Sequence, residues 1–300
     1  ERGVDMTTSS GETWRAANSG LGAFQVRTVY PLQRNLLLAG VVGAARIYRS
    51  TNSGLSWDPA GEGVQTFGIE CFTVDSSGVV YAGSTTAGVY RSLDRGVRWA
   101  PLSNAGLALP HITCLAVTGR DTLWAGTPGE GVYRYVDDAT GWQAAREGLV
   151  RLQIFALHRT RAGAFFAAAA DGVYRRVEDA WVKVWAPPAG FSPTCLASDS
   201  LGQVFAGTTG AGVYASKDGQ AEWTPQNKGL FGLRVQALSI NPKWELLAAT
   251  EGDGVFISQP TFTSRLPVAR GTAHLLVYPN PARDVVTIAY ETPQPAELVV

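Results

Sequence analysis

The chain has no excess of either charge: 25 basic and 25 acidic residues give a formal net charge of zero over 300 residues. No run of Lys or Arg breaks that balance, which argues against nucleic acid or an anionic membrane as a partner. No apolar stretch approaches the length of a membrane span, so no transmembrane segment is expected. Histidine and cysteine number three each. His111, His158 and His274 share no repeat position, no zinc-type spacing arises, and neither a metal nor a cofactor is expected. No Ser–His–Asp order or phosphate-binding loop emerges, and sustained helical periodicity is missing. Glu1 opens in the middle of a repeat with no signal-peptide pattern, so the expectation is a fragment that continues upstream.

What the chain has is repetition. Trp14, Trp57, Trp99, Trp142, Trp181 and Trp223 follow one another at steps of 43, 42, 43, 39 and 42. The apolar residue of a Gly-Val-Tyr-like phrase keeps the same period at Val4, Ile47, Val89, Val132, Val173, Val213 and Val255. A pair of small residues after an apolar run does so too, as at Ala82-Gly83, Ala125-Gly126 and Ala206-Gly207. Three markers with one spacing identify a repeat protein. Each repeat reads as four short strands separated by turns, the 34 glycines and 16 prolines supplying the turns. A four-stranded unit of about 42 residues is the size of a β-propeller blade. The fold class is therefore all-β, and 45% hydrophobic residues suffice for its core.

Strand counting tests closure. Residues 1–24 hold two strands, 25–234 five complete blades and 235–258 three more strands, which makes 25. Seven blades would need 28, so seven are expected in the intact protein. The strands then missing are the last of the final blade and the first two of the first. Cys71, Cys114 and Cys195 each stand twelve residues before the second member of the small pair, in a slot that elsewhere holds Thr28, Ala156 or Ala237. That interchange reads as a steric demand for a small buried residue, not a redox or metal site.

The phrase that closes each repeat resembles the Asp-box, Ser-x-Asp-x-Gly-x-x-Trp, of sialidases, sortilin-type receptors, xyloglucan-cleaving enzymes and photosystem assembly factors. Ser92, Asp94, Gly96 and Trp99 match in full; Ser50, Asn52, Gly54 and Trp57 match with Asn for Asp. Asp137 and Trp142 keep two positions, Ser216, Asp218 and Trp223 keep three, Thr7 to Trp14 is a weaker copy, and the repeat around Trp181 has lost the box. The resemblance spans residues 1–258 and implies the propeller fold. A short acidic or amide side chain can accept from nearby backbone N–H groups, glycine supplies an unusual conformation, and the Trp packs between blades. The box is thus read as a structural staple. The periodic Arg49, Arg91, Arg134 and Arg175 are read as solvated pairs on separate blades.

Periodicity stops at Gln259. Residues 259–273 read as a linker, and 274–300 resemble the start of the C-terminal sorting domain of the bacterial type IX secretion system. The resemblance rests on Tyr278, Pro279, Asn280 and Pro281, then Asp284 and the strand Thr287 to Tyr290. It implies the type IX machinery as a partner and a secreted or outer-membrane-surface location in a Bacteroidota-type bacterium.

In propellers, ligands usually meet the face formed by the loops between second and third strands and between blades. Those loops here are short and mostly neutral. In the loops between second and third strands the only acids are Glu130, Asp171, Glu251 and Asp253. Glycoside hydrolysis needs two carboxyl groups about 5–10 Å apart, so Glu251 and Asp253 are the catalytic candidates if the protein is a glycosidase of sialidase or xyloglucanase type. Trp185 and Trp244 are candidates for stacking on a sugar. The expected role is non-catalytic, a binding module for a protein or glycan.

Overall fold

A computed structural model of the chain describes residues 3–7, 13–22, 25–33, 35–43, 47–220, 222–241 and 244–258, with the backbone of the strands Leu276–Val277 and Ile288–Tyr290. It is an all-β propeller. Six blades follow one another, each one sequence repeat folded into its own antiparallel sheet. The first blade comprises Gln25–Gln33, Leu36–Val42, Ile47–Ser50 and Asp58–Pro59. The second comprises Ile69–Val74, Val80–Ser84, Val89–Ser92 and Ala100–Pro101. The third runs through Cys114–Thr118, Thr122–Gly126, Val132–Asp137 and Gly141–Ala144. The fourth runs through Ile154–Arg159, Phe165–Ala169, Gly172–Val177 and Ala180–Trp185. The fifth has Pro193–Ser198, Val204–Thr208, Val213–Ser216 and Thr224–Pro225, and the sixth Val235–Ile240, Leu246–Thr250 and Gly254–Ile257.

Asp5–Thr7 and Arg15–Ala16 form a further sheet, completed by Ile288–Tyr290 and Leu276–Val277. Ile288–Tyr290 lies parallel to Asp5–Thr7, whereas every strand pair within the six blades is antiparallel. Twenty-five strands lie between Asp5 and Ile257, the number counted from the repeat. The sorting-motif residues Tyr278, Pro279, Asn280, Pro281 and Asp284 lie outside the described residues.

The core is a set of layers between neighbouring sheets. The third and fourth blades, for example, bury Trp124, Val132, Ile154, Phe165, Tyr174 and Trp181 against one another. Val4, Met6 and Ala17 of the further sheet pack in the same way on Val26, Leu37, Tyr48 and Trp57 of the first blade. A blade is covered on both sides, so its middle strands read as continuous apolar runs such as Leu36–Val42 and Phe165–Ala169.

The small slot is explained by cross-strand register. Cys71 pairs with Gly83, Cys114 with Gly126, Cys195 with Gly207 and Thr28 with Gly40, while Ala156 pairs with Ala168 and Ala237 with Ala249. A Cβ on Gly83 would come within 2.6 Å of the Cys71 sulfur and 2.8 Å of Ile112 in the next blade. A larger residue on one strand therefore meets glycine on the other, and two alanines meet each other. The pair volume is fixed by the facing blade. All three cysteines are free and buried, and burial pushes their thiols up, Cys114 and Cys195 to about 12.

The tryptophans join blades. The Nε1 of Trp57 donates to the Ala17 carbonyl, that of Trp99 to Ala60, that of Trp142 to Ser103 and that of Trp181 to Ala145, at 2.7–3.0 Å. Each acceptor lies just after the outermost strand of the preceding sheet. In the box of the second blade, Ser92 Oγ donates to Asp94 Oδ1 and accepts from Gly96 N, and Asp94 Oδ1 accepts from Val97 N and Arg98 N. Burial works against the Asp94 carboxylate but is outweighed by these donors, so its pKa is lowered. Gly96, at φ +85°, sits where a Cβ would strike Leu38 of the first blade at 2.6 Å. These contacts tie the turn of the second blade to itself and pack it against the first blade.

Candidate functional site

Each innermost strand runs from an upper face, bearing the loops between second and third strands and those between blades, to a lower face bearing the boxes. The upper loops are themselves stapled, which the sequence reading did not anticipate. Ser84, Thr127, Thr208 and Thr250 are buried, and each hydroxyl donates to the carbonyl four residues on, at Gly88, Gly131, Gly212 and Gly254. A Ser or Thr followed by glycine at that spacing was the signal available.

A second unanticipated feature is a bulge at the upper end of the innermost strands, at Arg27, Glu70, Phe155, Thr194 and Gln236, with Thr113 at the matching place. Arg27 and Glu70 form an ion pair of 2.8 Å between the first two blades, and both are largely buried. Thr113 Oγ1 donates to Ile154 O, and Thr194 Oγ1 to Val235 O, each reaching the next blade's innermost strand.

Glu251 and Asp253 do not form a free carboxylate pair. Glu251 Oε2 accepts from Gln236 Nε2 at 3.2 Å and from Arg234 Nη1 at 3.5 Å. Asp253 leans on Gly232, where a Cβ would lie 2.5 Å from its Oδ2. Glu130 pairs with Arg146 at 3.4 Å. The aromatic candidates part company. Trp185 packs between blades, its ring 4.9 Å from Tyr214 and 5.1 Å from Trp223. Trp244 is half exposed, but in the hairpin between the first two strands of the sixth blade, on the lower face. The two cannot form one platform. Arg91 pairs with Asp138 at 3.1 Å and Arg134 with Gln143 at 3.3 Å, on different blades.

The fourth blade provides the upper face with its cleft. Its second and third strands are joined through Ala170 and Asp171 alone, where the third blade uses Thr127 to Gly131. The shorter connection leaves a cleft of about 560 Å³ bounded by Arg151, Gln153, Asp171 and Phe191, with Gly129 and Gly190 at its edges. In its wall, Asp171 Oδ2 accepts from Tyr174 Oη at 2.9 Å and contacts Lys183 Nζ. Asp171 Oδ1 is buried and meets no donor among the described residues. Burial opposes the Lys183 ammonium, but the hydrogen bonds to Asp171 and Tyr174 outweigh it and raise its pKa. Burial, with the bond to Asp171, raises the Tyr174 phenol. Lys183 also stands 5.3 Å from the centroid of the Tyr174 ring.

Exposed apolar side chains stand on several interblade loops of this face: Phe67, Val150 and Phe231 are 74, 72 and 85% exposed, Leu233 shares the loop of Phe231, and Leu109 lies between the second and third blades. A separate axial cavity of about 450 Å³ opens among the innermost strands, lined by Tyr30, Thr73, His158 and Ser198 among others. His158 Nε2 and Ser198 Oγ are 2.8 Å apart, and enclosure pushes the imidazole down to about 4. Among the described residues no three His, Cys, Asp or Glu side chains gather as a metal would require, and no helix is long and apolar enough to cross a membrane.

No protein-family model matches the chain, and no curated protein does. Solved structures do. The extracellular domain assigned to the hybrid two component system BT4673 of B. thetaiotaomicron superposes with a TM-score of 0.67 at 18% identity over 88% of this chain and 38% of that one. The corresponding domain of BT3049 gives 0.69 at 12% identity, over 91% and 40%. YCF48 bound to D1 peptide gives 0.57 at 13% identity, over 88% and 83%. The chain spans about two fifths of the length of the two B. thetaiotaomicron domains. These likenesses establish the propeller fold.

Proposed function

We propose that the protein is a non-catalytic binding module, secreted or displayed at a bacterial surface, that presents its upper face to a protein or glycan. The carrying observation is that face itself: a cleft opened by the shortened loop of the fourth blade, and exposed Phe67, Val150 and Phe231 on its interblade loops. Exposed apolar side chains carried on one face of a propeller are available to a docking partner. The extracellular origin of two structural neighbours, and the peptide bound by a third, are in keeping with it. The further sheet we read as a seventh blade closing the ring. The box and the Tyr278 to Asp284 motif support an Asp-box propeller exported by the type IX route, with the secretion machinery as a partner of the tail.

Glycan and peptide arrays probed with the whole chain test the reading, with reducing-sugar release assayed on every binder. Ligand capture that is lost in a Phe67→Asp/Phe231→Asp variant and kept in a lower-face Leu93→Asp/Leu201→Asp variant is expected. Turnover abolished by Glu251→Gln would instead make the protein a glycoside hydrolase.

A further inference from the structure

We propose that the cleft beside Asp171 is a subsite for an acidic sugar residue, a hydroxylated ring carrying a carboxylate. The inference rests on the reading of the upper face as the ligand face and names what its cleft takes. Three groups lining the cleft are uncommitted. Arg151 is exposed and makes no ion pair with the described residues; the Gln153 carboxamide makes no side-chain hydrogen bond with them; Phe191 keeps 38% of its surface exposed. Beside Phe191, Gly190 faces open space, with no atom within 4 Å of where a Cβ would be.

Each group calls for a different part of one ligand. A guanidinium is met best by a carboxylate, to which it can donate two parallel hydrogen bonds. A carboxamide both donates and accepts, as ring hydroxyls do. An exposed phenyl ring offers an apolar face to the C–H face of a sugar. The cleft volume of about 560 Å³ is within the usual range for small-ligand sites.

The wall decides between this ligand and its rivals. Asp171 is already neutralised by Lys183, so an ammonium or guanidinium arriving there would meet a like charge. A free amino acid or a basic peptide side chain is disfavoured on that ground. With Asp171 and Lys183 cancelling, the cleft keeps the charge of Arg151, which favours an anionic ligand over a neutral sugar or an apolar peptide. An isolated acidic side chain would satisfy Arg151 but give Gln153 and Phe191 little to hold.

Titration calorimetry on the whole chain tests the subsite, with tetragalacturonate and a glucuronate tetramer as probes, their carboxyl-reduced forms as neutral controls and a glycyl-glutamate dipeptide as the peptide control. At least one acidic tetramer should bind at least tenfold more tightly than its reduced form. Arg151→Gln should remove that tenfold preference, while Phe191→Ala should weaken acidic and reduced forms alike by about fivefold or more. Both positions are exposed, so folding is checked simply by an unchanged melting profile. Equal affinity for acidic and reduced sugars, silence toward both tetramers, or tighter binding of the dipeptide overturns the subsite. If the arrays then still give a ligand that Phe67→Asp/Phe231→Asp releases, the subsite alone has failed. If that variant releases nothing, the upper-face reading fails with it.

Discussion

The second and fourth blades are copies of one repeat that have kept different halves of it. The second has the complete box, a fourth strand of two residues, and a five-residue upper turn held by the Ser84 hydroxyl. The fourth has no box; Val177 and Ala180 face each other across a two-residue hairpin turn in which Glu178 takes φ +50°. Its fourth strand runs for six residues, to Trp185. That extension changes the next seam. Where the first three blades offer a carbonyl to the following tryptophan, the fourth offers the Trp185 ring, which stacks on Trp223 at 24° and leaves the Trp223 Nε1 buried without an acceptor among the described residues. A staple has been exchanged for an aromatic stack, and on the opposite face the same blade has given up its loop to make the cleft. Regular blades hold the ring; the irregular one carries the candidate site.

The largest effect expected is at a regular seam. Trp99→Ala removes a buried indole and its bond to the Ala60 carbonyl, and should cost about 3–5 kcal/mol in denaturant unfolding. Trp223→Ala, at the seam without that bond, should cost less; an equal loss would erase the distinction between the two seams.

Acid should act through the irregular blade. The folded-state pKa of His158 lies at about 4, below the ordinary 6.5, so the unfolded chain takes up a proton that the folded one refuses. That stability is complete above pH 6.5 and declines as pH falls toward 4, by up to about 3 kcal/mol. His158→Gln should flatten the profile in that window, as followed by unfolding at stepped pH.

The Cys–Gly pair of the second blade can be set against the Ala–Ala pair of the fourth. Gly83→Ala should destabilise by about 1–3 kcal/mol through overpacking on Cys71 and Ile112. Adding Cys71→Ala should recover part of the loss, leaving the share due to Ile112. No recovery in a double-mutant cycle would mean that the two positions do not share one volume.

The smallest contrast is in the turns. Asp94→Ala strips the acceptor from two backbone donors and should cost about 1 kcal/mol, whereas Asp179→Ala, in the exposed turn of the fourth blade, should stay within about 0.5 kcal/mol. Thermal melts of the two variants side by side decide it.

The blade was legible because it is periodic: Trp spacing, the small pairs and the Gly-Val-Tyr phrase place 25 strands without any knowledge of partners. The box, too, could be read locally, since its hydrogen bonds join residues two to four positions apart. Even the slot at Cys71 announced itself as small, although only the register shows that its size is set by Gly83. The cleft was not legible. Asp171 looked like one more turn acid, and what distinguishes it is Lys183 twelve residues on, Arg151 from the preceding loop and Phe191 from the next. Trp185 and Trp244 looked alike in sequence and fell between blades and on the lower face. Local chemistry and period were determined by the sequence alone, because a repeat writes its strand and turn preferences into every copy. Which loops converge on one face, and which charges they leave unpaired, was decided by the tertiary structure, because that depends on neighbours a whole repeat away.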